Sequence, residues 1–342
     1  MSQFDYIKDI AKHGLENDRE ALLVSLNELI EYSKNTKKLN FALQLQSILK
    51  DAMKGSKTSS LQKPSSTFQL HHNDDRAVNE LILEKLTSDY SFGHLVCDEK
   101  IKENLKFFIE EHNSLVLLNK YELPVSNKIL LHGPSGCGKT LASYVIAGEL
   151  NKLMIVVNLG AIVSSKLGET SKNLAQIFRK AASEDCIIFI DEFDSLGKVR
   201  DYSQDHGEMK RVVNTILQLF DYLPQSSIVI AATNQVNVID NALLRRFDLN
   251  VGFNLPTEAQ IKDLVELTLK NGRFKFDKPK ALPSILKGAI GFSYYTIQKS
   301  LITAIKRSIF GNPDNRNALY PTISTSIWKQ LLLEEQKLQS NT

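Results

Sequence analysis

Four short apolar runs punctuate the middle of the chain: Lys128–His132 (KILLH), residues 154–159 (MIVVNL), residues 186–190 (CIIFI) and Ile228–Thr233 (IVIAAT). Each is rich in β-branched residues and almost unbroken in apolar character, as expected for strands covered on both faces of a parallel sheet. A buried helix is the competing reading, and runs this short do not fill one. The intervening stretches read as helices, so the pattern predicts an α/β sheet. After Pro256 the texture is helical to the end, which predicts a smaller α-helical domain.

The first 55 residues carry a different pattern. Asn17, followed by Glu20, forms an N-cap pair, and Leu22, Leu26, Leu29 and Ile30 then recur at helical spacing. Phe41, Leu45, Ile48, Leu49 and Ala52 line one side of a second stretch. Helices of this size bury little surface alone, so they form either a cap packed on something else or a partner-binding module. Residues 55–67 (GSKTSSLQKPSST) have the composition of a flexible linker. The predicted organisation is a helical module at 1–55, a linker at 56–75, an α/β domain at 76–255 and a helical domain at 256–342. No internal repeat is evident, and a length of 342 residues is in keeping with more than one domain.

Composition narrows the classes without naming one. With 42% hydrophobic and 24% charged residues the chain can bury a core, which excludes wholesale disorder, collagen and a disulfide scaffold. Lysine and arginine number 42 against 39 acidic residues, a balance that carries no footprint of a dedicated nucleic-acid or membrane-surface binder. Cys97, Cys137 and Cys186 lie far apart, with no CxxC pair and no histidine at metal-ligand spacing, so a reducing compartment fits best. The N-terminal residues lack the apolar run of a signal peptide, and no apolar segment approaches the ~18 residues of a membrane span. A soluble, cytoplasmic protein without a membrane partner is expected.

Chemistry enters directly after KILLH. Gly133, Pro134, Ser135, Gly136, Cys137, Gly138, Lys139 and Thr140 form a full GxxxxGKT, followed by the helix-forming LASYVIAGEL. The glycines let backbone N–H groups converge, and the helix places its positive end there, so the loop can wrap a polyphosphate. Lys139 would pair with the β- and γ-phosphates, and the Thr140 hydroxyl would ligate Mg²⁺. The run ending at Ile190 leads into Asp191 and Glu192. Ligands of open α/β sheets sit at the carboxyl ends of the strands, so both carboxylates would face the phosphate loop. Asp191 suits the Mg²⁺ shell, and Glu192 suits a general base polarising the attacking water. Asn234, after IVIAAT, is placed to hold that water, although Thr-Asn at a strand end is also a common turn signal. Arg245 and Arg246 are either a solvated helix end or fingers reaching a neighbouring subunit's γ-phosphate.

The ordered set GPSGCGKT, IIFIDE, AATN and NALLRRFD, preceded by SFGHLVCDEKIKENL and followed by GFSYYTIQKSLITAIKRSI, resembles the AAA clade of the AAA+ ATPase superfamily over about residues 92–309. The motifs resemble Walker A, Walker B with its catalytic glutamate, sensor 1 and the arginine-finger helix. The RRFD form and the small N-terminal segment are similar to single-ring bacterial AAA proteins. The resemblance implies a P-loop NTPase parallel sheet with an α-helical lid, ATP and Mg²⁺ as cofactors, and a hexameric homo-oligomer with nucleotide at each subunit interface. Head-to-tail contacts of that kind close into rings.

The sequence departs from the family at two places. The first pore loop of family remodelling enzymes carries an aromatic residue before a Gly-Glu; here Lys166 occupies that position, followed by Leu167. Lys166 would favour an acidic polypeptide or nucleic acid, or it is an ordinary exposed loop lysine. Tyr202, in the stretch matching the second pore loop, would supply the missing aromatic. Secondly, Tyr294 and Tyr295 stand on the lid where the clade has a small Gly-Ala pair; they pack near the adenine or fill the joint between the domains. Cys137 in an open loop should be alkylatable and protected by ATP.

The leading expectation is an ATP-hydrolysing ring that remodels or unfolds a protein partner, recruited by the N-terminal helices. A separate effector such as a peptidase is compatible with the lack of any HExxH motif. The alternative is a nucleic-acid-handling loader or helicase-like ATPase, supported by Lys166 and opposed by the balanced charge.

Overall fold

The computed structural model describes residues 82–157, 169–195, 206–269, 272–316 and 318–340, with a few positions between 6 and 33. The chain divides into two compact units, Met1–Asp75 and Arg76–Thr342. In the first unit, residues 24–26, 28–30, 32 and 33 are helical, with Leu29 and Ile30 buried, where the sequence predicts a helix. Leu22, the second predicted stretch from Phe41 to Ala52 and the linker lie outside the described residues.

The second unit is built on a six-stranded sheet. Its strands are β1 (Ile82–Leu86), β2 (Lys128–His132), β3 (Met154–Val157), β4 (Ile187–Ile190), β5 (Ile228–Thr233) and β6 (Leu249–Gly252), in the order β1-β3-β4-β5-β2-β6. β2 to β6 are parallel, and β1 runs antiparallel to β3 along the edge, so the sheet is mixed where the apolar runs predict a parallel one. The edge explains why ILEKL escapes an apolar-run criterion: its three central residues face solvent. β6 (LNVG) escapes for the same reason, with one buried position on the opposite edge. β4 and β5 are buried throughout, as their unbroken apolar sequences require.

Period-two alternation divides the core between the two faces of the sheet. Ile129, Leu131, Ile187, Phe189, Ile228 and Ile230 point to one face. There they meet α1 (Glu99–Asn113) and α3 (Lys139–Leu150) through Phe108, Val145 and Ile146. Leu130, Ile188, Ile190, Val229 and Ala231 point to the other face. Those residues meet α4 (Glu169–Glu184) and α5 (His206–Asp221) through Ile177, Phe178, Ile216 and Phe220. Each such Val, Leu, Ile or Phe side chain, fully buried, contributes about 1.5–3 kcal/mol of transfer free energy. The short helix α6 (Asn241–Leu244) adds Leu243 to this layer, while α2 (Leu115–Lys120) follows α1 and buries no residue.

Beyond β6 come α7 (Glu258–Thr268), α8 (Leu282–Gly288), α9 (Tyr294–Gly311), α10 (Pro313–Arg316) and α11 (Thr325–Ser340). The region is not wholly helical as its pattern predicts, because β7 (Lys275–Phe276) and β8 (Thr322–Ile323) pair in a small parallel ribbon. Trp328 of α11 is fully buried, stacks on Phe276 at 5.5 Å and donates its indole N–H to Ser300 Oγ at 3.0 Å.

Candidate active site

The strand order places β4, β5 and β2 side by side, so the residues following them emerge in one row. After β2 the chain turns through Gly133 at φ 134°, Gly136 at φ 73° and Gly138 at φ 95°. A side chain at Gly133 would put its Cβ 2.1 Å from the Phe253 carbonyl oxygen, so both conformation and space demand glycine. The turn delivers Lys139 to the first position of α3, where it is almost fully buried.

Lys139 Nζ donates to Gly133 O at 2.7 Å, Pro134 O at 2.8 Å and Asn234 Oδ1 at 2.8 Å. Burial pushes its pKa below the ordinary lysine value, while the Asp191 and Asp194 carboxylates act in the opposite direction. Thr140 Oγ1 donates to Asp191 Oδ2 at 3.2 Å, and Asp191 Oδ1 accepts from the Glu192 N–H at 2.8 Å. A hydroxyl and a carboxylate meeting at the cavity wall are hard oxygen donors of the kind Mg²⁺ takes when most of its shell is water. Glu192 itself is left-handed at φ 50°, an uncommon conformation for a side-chain-bearing residue. Phe193 returns to the core, donates its N–H to Ala232 O at 2.9 Å and packs edge-on to Phe247. The strand end is thus pinned on both sides of an exposed glutamate.

Lys139, Thr140, Asp191, Glu192 and Asn234 line one side of a cavity of about 370 Å³, together with Ser135, Gly136 and Gly138. The other side is largely apolar, with Leu95, Val96, Leu264, Leu267 and the two lid tyrosines. Tyr294 is buried in the core and its hydroxyl is pushed well above the usual tyrosine pKa by burial, while Tyr295 is 62% exposed. The two tyrosines therefore divide the alternatives left by the sequence, one filling the joint and both reaching the cavity wall. The lid and the phosphate loop touch directly: the Tyr295 N–H donates to Gly136 O at 3.1 Å.

Other predicted residues lie elsewhere. Gly133 and Pro134 contribute carbonyls to Lys139 and do not line the cavity. Cys137 points inward with 1% exposure, its thiol pKa raised by burial, so the expected alkylation at an open loop is corrected. Arg245 and Arg246 follow α6 and do not line this cavity; Arg246 Nη1 pairs with Asp221 Oδ1 at 2.8 Å, both half exposed. Lys166, Leu167 and Tyr202 lie outside the described residues.

Sequence reasoning missed the lid residues Leu264, Leu267 and Gln298 at the cavity wall, as well as Asp194. Gln298 falls one turn after Tyr294 on α9, a spacing that would have placed it on the same face.

Residues 129–255 match the family described as "ATPase family associated with various cellular activities (AAA)". The chain is 34% identical over 227 residues to an AAA family ATPase of Sinorhizobium fredii, covering 66% of this chain and 68% of that protein. It is 28% identical over 227 residues to a putative 26S proteasome regulatory subunit homolog of Methanocaldococcus jannaschii, covering 65% of this chain and 60% of the relative. It is 38% identical over 198 residues to the peroxisomal ATPase PEX6 of Arabidopsis thaliana, covering 54% of this chain and 21% of the plant protein. With the phosphate loop, the paired carboxylates and the strand-end asparagine gathered on one cavity of an α/β sheet, the chain belongs to the AAA family of ATPases, which bind and hydrolyse ATP.

Proposed function

We propose that the chain is the subunit of a hexameric motor that couples ATP hydrolysis to remodelling or unfolding of a protein partner. One observation carries this reading: the cavity gathers Lys139, Thr140, Asp191, Glu192 and Asn234 but neither Arg245 nor Arg246, which stand exposed on the same chain. A site that holds a lysine but no arginine is what a neighbouring subunit's arginines would finish.

In this reading the apolar wall of Leu95, Val96, Leu264 and Leu267 receives the base and the polar wall receives the phosphates. Lys139 exchanges its carbonyl partners for phosphate oxygens. Thr140 Oγ1 and the Asp191 carboxylate would hold Mg²⁺, which when bound neutralises charge on the phosphates. Glu192, turned outward by its left-handed backbone, takes the proton of the attacking water as general base. Asn234 orients that water through its side-chain amide. Arg245 and Arg246 stabilise the transferring phosphoryl group of the next subunit.

The division into a helical module at 1–55, a linker at 56–75, an α/β domain at 76–255 and a lid at 256–342 belongs to the same proposal. A protein partner is supported by relatives named for the proteasome and the peroxisome. Among the described residues no helix is long and apolar enough to cross a membrane. Three buried free thiols suit a reducing, cytoplasmic setting.

The test is capture on the full chain carrying Glu192→Gln with ATP present. Hexamers that retain polypeptide, and wild-type ATPase stimulated by unfolded protein, are expected. ATPase stimulated by single-stranded DNA, with binding that weakens steeply with salt, would replace this reading with the nucleic-acid one.

A further inference from the structure

We infer that Asp194 is a positioning residue for hydrolysis, a buried carboxylate that sets the spacing between Glu192 and Asn234. The inference rests on the proposed role of Asn234 and adds how the backbone that carries that side chain is held. Asp194 is 2% exposed, two residues beyond Glu192. Its Oδ1 accepts from Thr233 Oγ1 at 3.0 Å and from the Asn234 N–H at 3.4 Å. Thr233 Oγ1 in turn accepts from the Gln235 N–H at 3.0 Å. Together with the Phe193 N–H bond to Ala232 O, the turn after β4 is stitched to three successive residues, Ala232, Thr233 and Asn234, at the end of β5.

The physical reason is cost. A buried carboxylate is tolerated only where donors surround it, so the charge forces Thr233 and the Asn234 backbone to keep their places. Glu192 and Asn234 come from different strands, and hydrolysis requires both to address one water. Glu192 is itself left-handed, and the residues after it, the apolar anchor Phe193 and then Asp194, tie it to the end of β5. A displacement near 1 Å at such a site costs about 100-fold in rate.

The experiment compares Asp194→Asn, Thr233→Val and Thr233→Ser with Asn234→Ala in the full chain, reading kcat, KM and the affinity for a fluorescent ATP analogue separately. Asp194→Asn and Thr233→Val are expected to lower kcat by about 10- to 100-fold, with KM and analogue affinity within about 3-fold of wild type. Thr233→Ser, which keeps the donor, should retain most of the rate. Placed in the Asn234→Ala background, Asp194→Asn should add little further loss, because both act on one group. If Asn234→Ala lowers kcat while Asp194→Asn and Thr233→Val do not, this inference fails alone. If Asn234→Ala is harmless, the role of Asn234 falls, and the inference with it. Equal loss of kcat and analogue affinity, with lowered thermal stability, would make Asp194 a purely structural residue and overturn the inference. Should Asp194→Asn fail to fold, the contrast between Thr233→Val and Thr233→Ser decides.

Discussion

Lys139 Nζ and Asn234 Oδ1 lie 2.8 Å apart, joining the first residue of α3 to the residue after β5. The ammonium is satisfied by this amide oxygen and two loop carbonyls. The same bond holds the Asn234 side chain toward the phosphate loop. Phosphate oxygens are stronger acceptors for an ammonium, so a bound triphosphate would compete for Lys139 and release Asn234. Lys139→Ala is therefore expected to abolish ATP binding, measured by equilibrium titration. Asn234→Ala is expected to bind ATP and to lose turnover by about 100-fold, the scale seen when one positioned polar group is removed from a transition state. Normal ATP affinity in Lys139→Ala would remove the phosphate loop from the site.

Gly136 tests the seam between loop and lid. Its φ is 73°, and an added Cβ would lie 2.6 Å from Ser293 Oγ and 3.0 Å from Tyr295 Cβ. Gly136→Ala is expected to cost about 1–3 kcal/mol and to weaken ATP binding at the same time. Gly288→Ala is the control: it has no positive φ and nothing within 4 Å, so calorimetry should show it neutral or slightly stabilising.

Arg246 tests the ring. Its pairing with Asp221 is a half-exposed contact worth about 0–1 kcal/mol, too weak to hold the guanidinium back from a partner. Mixing Arg246→Ala subunits with wild type should depress ATPase more than in proportion to the fraction added. A strictly proportional decline would argue against a finger acting on the neighbour.

The thiols make a pH prediction. Burial raises Cys97 to about 11 and Cys186 to about 12 from an ordinary 9.0, and it raises Cys137 as well. All three should resist alkylation in the native protein near neutral pH, with or without ATP, and react on unfolding. Above pH 9 the unfolded chain loses thiol protons that the folded chain keeps. It then binds fewer protons than the native state, so stability falls as pH climbs from 9 toward 12. Denaturant titrations at stepped pH would check the sign, and a rise would contradict it.

The legible parts of this molecule were those where burial is total. KILLH, CIIFI and IVIAAT announce themselves because β2, β4 and β5 are covered on both faces, and the site residues follow them directly. β1 and β6 were not legible, since an edge strand needs few apolar residues. Leu264 and Leu267 lie in a stretch whose pattern predicts only a helix; which cavity they face depends on how the region beyond β6 meets the sheet, a long-range relation that local spacing does not carry. Asp194 has the same difficulty in sharper form. Its buried carboxylate accepts a hydrogen bond from Thr233, thirty-nine positions away in the chain.

Trp328 gives the lid an optical reporter of its own. It is the chain's single tryptophan, wholly enclosed in the region beyond β6 and bonded to Ser300. Tryptophan emission therefore reports that region alone, while backbone dichroism reports the entire molecule. Recording both along one denaturation curve would reveal whether lid and sheet melt together or in sequence, with no label introduced.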